Sequence, residues 1–240
     1  MEIMNKYTIA ILQARLSSKR LPGKVLRRIN SQPIIYWQIK RILRSRRIDK
    51  LIVAISEDSS DDLLANYLES IDQEYLRGPL NDVLARFIKV EQKFNPDIIL
   101  RLTGDCPFVM PDLIDLMLEI FHANSFDYFS NIVNLTFPDG LDIEIIRSGV
   151  LERLNRFNLT SDEREHVTLG ILNRKNLFDV KNYSNSEDLS SFRWTVDTSQ
   201  DFEFIQKVFH DFKDKEIEFN YSDLILYFNN YPELNQIAIR

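Results

Sequence analysis

Between Ile9 and Leu26 the chain reads IAILQARLSSKRLPGKVL, an apolar run of strand character that opens directly into a loop carrying Arg15, Lys19, Arg20 and Lys24. Cationic side chains and free backbone N–H groups at the carboxyl end of a parallel strand are how open α/β sheets hold nucleotide phosphates. Arg15 and Arg20 can each clamp phosphate oxygens through a planar fork and Lys24 can act as a point charge. Pro22 stiffens the turn, and Gly23 lets backbone approach a ligand closely. By charge alone such a loop is equally a solvated surface. Its setting favours the functional reading: Ile3 to Ile48 holds twelve Lys or Arg and no Asp or Glu, leaving 18 basic residues elsewhere against all 36 acidic ones.

A second constellation is Leu100-Arg101-Leu102-Thr103-Gly104-Asp105-Cys106-Pro107, where an apolar strand stops at Gly-Asp and Pro107 blocks its continuation. A carboxylate at a strand's carboxyl tip faces the ligand crevice. Asp105 can there hold Mg²⁺, a hard cation that takes one or two protein carboxylates together with phosphate oxygens and water. Taken alone it more commonly bonds to turn backbone. Asp197 supplies the partner, because it ends the apolar run Arg193 to Val196 and precedes a helix that Thr198 or Ser199 can cap. Two carboxylates at neighbouring strand ends can share one metal.

The elements that must position these groups alternate between strand-like and helix-like character, which predicts an α/β protein with a mostly parallel sheet covered by helices. Tyr7 to Gln13, Leu51 to Ile55 and Ile98 to Leu102 are β-branched-rich runs of the buried-strand type. Helical faces are expected from Ile35, Ile39, Ile42 and Leu43 after Pro33, from Leu80, Val83, Leu84, Phe87 and Ile88, and from Leu113, Met117, Ile120 and Phe121. Beyond about residue 125 the pattern loosens, with strands at Tyr128 to Ser130 and Leu141 to Ile146 and a helix at Arg164 to Asn173. The stretch of about 125–190 reads as a substrate or dimerisation excursion within one domain of 1–240. Order returns with a strand at Arg193 to Val196 and a helix whose buried stripe is Phe202, Ile205, Phe209 and Phe212.

The 240 residues, 44% hydrophobic and 28% charged, are ordinary for one globular α/β domain. A formal charge of −6 argues against a general nucleic-acid binder, which would pair a basic patch with a basic balance. One positive region on an acidic body suits a small anionic ligand. Cys106 is the only cysteine, so a reducing, cytoplasmic setting is expected. The apolar run Ile9 to Leu12 is too short for a signal-peptide core, and no segment approaches a membrane span.

The ordered set Ala14-Arg15-x-x-Ser18-x-Arg20-Leu21-Pro22-Gly23-Lys24, Gly104-Asp105-x-Pro107 and Val196-Asp197-Thr198-x-x-Asp201 resembles the cytidylyltransferases that activate acidic sugars, the CMP-Kdo and CMP-acylneuraminate synthetases. The spore-coat polysaccharide branch is the nearer likeness. Arg77-Gly78 with Asp82-Val83-Leu84-x-Arg86, Phe137-Pro138-Asp139-Gly140-Leu141-Asp142 and Glu163-x-Glu165-His166-Val167-Thr168 carry it. The resemblance implies a Rossmann-like nucleotide-diphospho-sugar transferase fold of three αβα layers and a homodimer. It implies that a sugar or sugar-phosphate oxygen attacks the α-phosphorus of CTP and pyrophosphate leaves. Arg15, Arg20, Lys24 and Asp105 would be catalytic; Gln13, Ala14, Ser18, Gly23 and Thr103 would line the nucleotide site; Gly78, Asp82 and Arg86 would lie near the cytidine. Asp105 and Asp197 would bind Mg²⁺.

Asp139, Asp142 and Glu144 form an acidic cluster, and strand alternation would put Asp142 and Glu144 on one face. They can bind sugar hydroxyls or an amino group, or assist the metal; they equally read as a hairpin turn and the polar face of a strand. His166 is either a substrate contact or a surface residue near a helix start. Two alternatives stay open: a pyrophosphorylase or nucleotide-sugar glycosyltransferase using another NTP, since fold does not settle chemistry, and a non-catalytic nucleotide-binding scaffold.

Overall fold

The computed structural model describes residues 6–215, 217–231 and 234. In chain order its elements begin with β1 (Thr8–Gln13), the hairpin β2 (Arg28–Ile29) and β3 (Gln32–Pro33), α1 (Ile34–Ile42), β4 (Lys50–Ser56), α2 (Asp62–Ser70) and β5 (Tyr75–Gly78). They continue through α3 (Val83–Phe94), β6 (Ile98–Thr103), α4 (Pro111–His122), β7 (Tyr128–Ser130), β8 (Glu144–Arg147) and α5 (Val150–Asn155). The last are α6 (Ser161–Glu165), α7 (Leu169–Leu172), β9 (Val180–Asn182), α8 (Ser199–Asp211) and α9 (Tyr221–Asn230).

One seven-stranded sheet runs β5-β4-β1-β6-β8-β7-β9. The first four are mutually parallel, β8 is antiparallel to both β6 and β7, and β9 is parallel to β7. Because β1, β4 and β6 are covered on both faces, nearly every residue in them is apolar. Alternation then decides only which layer each one meets. Ala10, Leu12, Val53, Ile55, Leu100 and Leu102 pack on α1, α2 and α4. Ile9, Ile11, Ile52, Ala54 and Ile99 pack on α3, α5 and α7. The result is the expected αβα sandwich. A third core, built around Trp37, Phe108, Trp194, Phe209, Phe219 and Phe228, docks α8 and α9 beside these layers.

The order places β1 between β4 and β6, so the chain's direction of winding reverses at β1. The crevice at that reversal is where open sheets bind ligands. Gln13 and Thr103, the last residues of β1 and β6, sit opposite each other there. Residues 125–190 supply β7, β8 and β9 to the same sheet, and Tyr128, Phe129 and Phe137 of this stretch are buried. Among the described residues no helix is long and apolar enough to cross a membrane.

Four local expectations are corrected. Leu43, placed on the buried stripe, caps the end of α1 and is 51% exposed. The strand expected from Leu141 starts only at Glu144, so Asp142 and Glu144 do not share a strand face. The helix expected over Arg164 to Asn173 is two short helices, because buried Val167 adopts φ 49, a left-handed conformation costly for a β-branched residue. Arg193 to Val196 is extended but joins the sheet in no ladder; it is held by an isolated bridge to Asp139 and by the Val196 N–H donating to the Asp105 carbonyl at 2.9 Å.

The phosphate-loop candidate after β1 is tethered by Asp61, fully buried, whose carboxylate accepts from the Leu16 N–H at 2.6 Å and the Ser56 N–H at 2.9 Å. Replacing it with alanine strands two backbone donors, at about 1–3 kcal/mol each. Asp61→Ala is therefore expected to lose about 3 kcal/mol in urea unfolding; a loss below about 1 kcal/mol would show that the tether is dispensable.

Candidate active site

The loop leaves β1 with the Ala14 N–H on the Ala54 carbonyl, and returns on itself where the Gly23 N–H bonds the Leu16 carbonyl at 2.9 Å. Leu21 drops into the aromatic core. Gly23, at φ 70, then starts the single 3₁₀ turn Lys24–Leu26. A β-carbon at Gly23 would meet open space, so the position requires glycine for its left-handed backbone rather than for close approach. These constraints bring Lys24 inward, 9% exposed, while Lys19 and Arg20 stay exposed and Arg15 partly so.

Lys24 Nζ lies 3.0 Å from Asp105 Oδ2, 3.0 Å from Asp197 Oδ1 and 2.8 Å from the Val196 carbonyl oxygen. The other oxygen of Asp197 faces Arg193 at 2.5 Å and Arg20 at 2.7 Å. Burial would raise the Asp197 carboxyl, but the hydrogen bond and charge of Lys24, with Arg193 and Arg20, carry it below its ordinary value. Asp201 fixes the backbone here: it closes the capping box with Thr198 at the start of α8, and its carboxylate also accepts from the Asp197 N–H at 2.8 Å.

Across from the loop, Arg193 bridges to Asp139 at 3.2 Å and Asp201 at 3.5 Å. The crossing needs Gly140, at φ 112: a β-carbon there would fall 2.7 Å from the Trp194 carbonyl carbon. Asp142 lies beside this crossing. Glu144 does not reach the cleft; its carboxylate is buried against Arg101 and accepts from the Tyr128 hydroxyl at 2.6 Å.

Together these groups line a cleft of about 710 Å³, within the range of small-molecule sites. Gln13, Ala14, Arg15, Ser18, Arg20, Lys24, Arg86, Thr103, Asp105, Asp139, Asp142, His166 and Asp197 all border it. Gly23, Gly78, Asp82 and Glu144 do not border it. Gly78 makes room for Arg86, whose Cγ would sit 2.6 Å from an added β-carbon. Asp82 caps α3 through the Ala85 N–H and pairs with Arg164 at 2.9 Å. Fully buried Arg86 is lowered to about 10, chiefly by burial.

Sequence reasoning passed over Arg101, Cys106, Glu165, Arg193 and Thr195, which also border the cleft. Glu165 ties α6 to the loop through Arg15 at 2.8 Å, and that hydrogen bond lowers its carboxyl. Two signals were available: a lone arginine inside an apolar strand for Arg101, and the fourfold spacing Arg193, Asp197, Asp201 for the clamp. Cys106 and Glu165 lie inside the quoted Gly104-to-Pro107 and Glu163-to-Thr168 segments, and Thr195 leaves no signal.

The cytidylyltransferase family model matches residues 9–239, nearly the whole described chain. The chain belongs to the cytidylyltransferase family. This cytidylyltransferase is 34% identical over 230 residues, 93% of its length and 94% of the other's, to the spore coat polysaccharide biosynthesis protein SpsF of Bacillus subtilis. It is 31% identical to a cytidylyltransferase of Leptospira borgpetersenii whose solved structure superposes with a TM-score of 0.91, covering 96% and 97% of the two chains. A 3-deoxy-manno-octulosonate cytidylyltransferase of Chlorobium luteolum is 31% identical over 137 residues, 56% of this chain and 53% of that one. Membership makes the chain a CTP-dependent nucleotidyltransferase.

Among the described residues no group of three or more His, Cys, Asp or Glu is gathered around one metal position. Two carboxylates that converge on a single ammonium are nonetheless the oxygen donors a hard cation takes when phosphates and water complete its shell. The donor set fits a divalent ion of that kind.

Burial, then the charges of Asp139, Glu144 and Asp105, push the Asp142 carboxyl up to about 7, with Arg101 opposing. The folded cytidylyltransferase thus keeps a proton that the unfolded chain releases near pH 4. Stability from this group is present below about pH 4 and is lost as pH rises towards about 7. In EDTA, Asp142→Asn should be more stable than the parent by about 2 kcal/mol near pH 8 and equal to it near pH 4. Urea unfolding at both values checks this, and a difference independent of pH would assign Asp142 an ordinary carboxyl.

Proposed function

We propose that this cytidylyltransferase moves CMP from CTP to an oxygen of an acidic sugar or sugar phosphate, releasing pyrophosphate, in the synthesis of a surface polysaccharide or other glycoconjugate. The observation that carries the reading is the convergence of the loop's Lys24 with Asp105 and Asp197 at the reversal point of the sheet. The polysaccharide role of the SpsF relative and the acid-sugar chemistry named for the Chlorobium relative support the acceptor class.

In this reading the acceptor oxygen forms a bond to the α-phosphorus as the bond from that phosphorus to the bridging oxygen of pyrophosphate breaks. Arg15, Lys19, Arg20 and Lys24 hold the triphosphate and neutralise charge gathering on the leaving group. Gln13 and Thr103, at the ends of β1 and β6, and Arg86, packed on Gly78, form the floor and the nucleoside end. Asp139, Asp142 and His166 border the acceptor end, with Arg193 holding Asp139 in place. Asp105 and Asp197 would hold Mg²⁺, which when bound supplies charge neutralisation at the phosphates and orients the nucleophile. The reading includes a cytoplasmic setting, since CTP is drawn from an intracellular pool, and a homodimer, as the resemblance to the acid-sugar synthetases implies.

Lys24→Ala and Asp105→Asn should each lower pyrophosphate release by about 10²-fold or more without loss of fold. EDTA should abolish turnover and Mg²⁺ restore it. The assay is CTP with a panel of acidic and phosphorylated sugars, and separate titrations of UTP, GTP and ATP. Unchanged turnover in both variants would remove the assignment, and equal rates with another NTP would replace cytidylyl transfer by a broader pyrophosphorylase chemistry.

A further inference from the structure

Lys24 occupies a position that contact with phosphate does not require. Its ammonium has three N–H donors, and the carboxylates of Asp105 and Asp197 and the Val196 carbonyl use all of them at 2.8–3.0 Å. Arg20 and Arg15, with side chains 64% and 37% exposed, are far better placed to meet an incoming triphosphate first. The Lys24 side chain is only 11% exposed, and its two partners 31% and 15%. Two carboxylates brought this close in a half-buried crevice repel each other unless a cation lies between them. Lys24 is that cation. An ion shared by Asp105 Oδ2 and Asp197 Oδ1 would need the space that this ammonium fills, and an ammonium and a divalent ion cannot occupy one position between the same oxygens.

We infer that Lys24 is a positioning residue that stands in for the divalent cation in the nucleotide-free protein, keeping Asp105 and Asp197 together until a bound triphosphate draws its ammonium away, so that nucleotide binds before metal binds tightly. The inference rests on the assignment of Asp105 and Asp197 as metal ligands. Its mechanics lie in how unequally the Asp197 carboxylate is held. Oδ2 is fixed to Arg193, which is itself pinned by Asp139 and Asp201, whereas Oδ1 is held by a lysine on a flexible four-carbon stem. Withdrawal of the lysine therefore frees Oδ1 in a place that does not change, and the same ammonium arrives at the phosphates.

The test is Mn²⁺ binding, followed by electron paramagnetic resonance of the free ion, to the full chain without nucleotide. Lys24→Met is expected to bind Mn²⁺ at least tenfold more tightly than the parent protein, and the gain should vanish in the double variant Lys24→Met, Asp105→Asn. As a second reading, Mn²⁺ should raise the melting temperature of Lys24→Met and leave that of the nucleotide-free parent nearly unchanged. Should Lys24→Met fail to fold, Lys24→Gln carries the same expectation. A ternary complex of the parent with Mn²⁺ and a non-hydrolysable α,β-methylene analogue of CTP, detected by water proton relaxation, separates the two layers. If that complex forms and Asp105→Asn weakens it, yet Lys24→Met binds Mn²⁺ alone no more tightly than the parent, the stand-in role is overturned and the metal assignment stands. If Asp105→Asn leaves the ternary complex unaffected, the metal assignment falls and the inference falls with it.

Discussion

An ammonium shared by two carboxylates and a carbonyl requires three stretches of chain to meet at one point, and the contact from Lys24 to Val196 spans 172 residues. The residue is nearly buried, so the cost of misplacing any one partner is that of an unpaired charge in a poorly solvated site rather than of a lost surface contact. The rest of the architecture reads as the means of meeting that demand. Register between β1 and β6 aligns Gln13 with Thr103, which fixes where the basic loop and Gly104-Asp105 begin. The Gly104 N–H on the Gln13 carbonyl at 2.8 Å then keeps the two exits in contact one residue beyond the sheet.

Asp197 has no such help from the sheet. Its segment is delivered by the aromatic core: Trp194, fully buried, stacks on Phe228 at 5.2 Å and meets Phe108 edge to face at 6.1 Å, while Val196 enters the same cluster. Phe108 directly follows the Gly104-to-Pro107 turn, so the cluster that places Asp197 also grips the segment that carries Asp105. Arg41, fully buried at the edge of this core, donates to the Val109 and Phe219 carbonyls and lies 4.0 Å over the Phe219 ring. Burial, reinforced by the charge of Arg44, pulls its guanidinium down to about 9. The third core is a positioning device, and its dense rings supply rigidity that a lone extended segment lacks.

This division explains what was legible in the sequence. Buried parallel strands announce themselves through unbroken apolar runs, and the basic loop through its contrast with an acid-free stretch, so β1, β4, β6, Arg15, Arg20, Lys24 and Asp105 could all be read locally. Asp197 was legible for a partly mistaken reason: the apolar Arg193 to Val196 run has strand composition, but its hydrophobicity serves aromatic packing and its backbone pairs with no ladder. Val167 shows the opposite failure. Helical periodicity through Arg164 to Asn173 is real, and it is broken by one left-handed residue whose cause lies in tertiary packing. Glu144 was misplaced because alternation was projected onto a strand that starts later, and because its partner, Arg101, lies on a neighbouring strand that no local window contains.

The ion pairs around the cleft divide by exposure, and the division suits the exchange of partners that the proposed triphosphate site would demand. Arg101 with Glu144 and Arg193 with Asp139, Asp197 and Asp201 are shielded from solvent; replacing either partner of such a pair leaves a charge stranded. Arg15 with Glu165 and Arg20 with Asp197 place at least one side chain well into solvent, where a pair is worth about 0–1 kcal/mol. In the proposed reading an incoming triphosphate gains the two arginines at little loss, while the shielded pairs hold the carboxylates where they are. Lys24 lies between these classes, shielded like the first and tethered by a flexible stem like the second. That intermediate standing makes it the one cation of the loop whose movement would change both walls of the cleft at once.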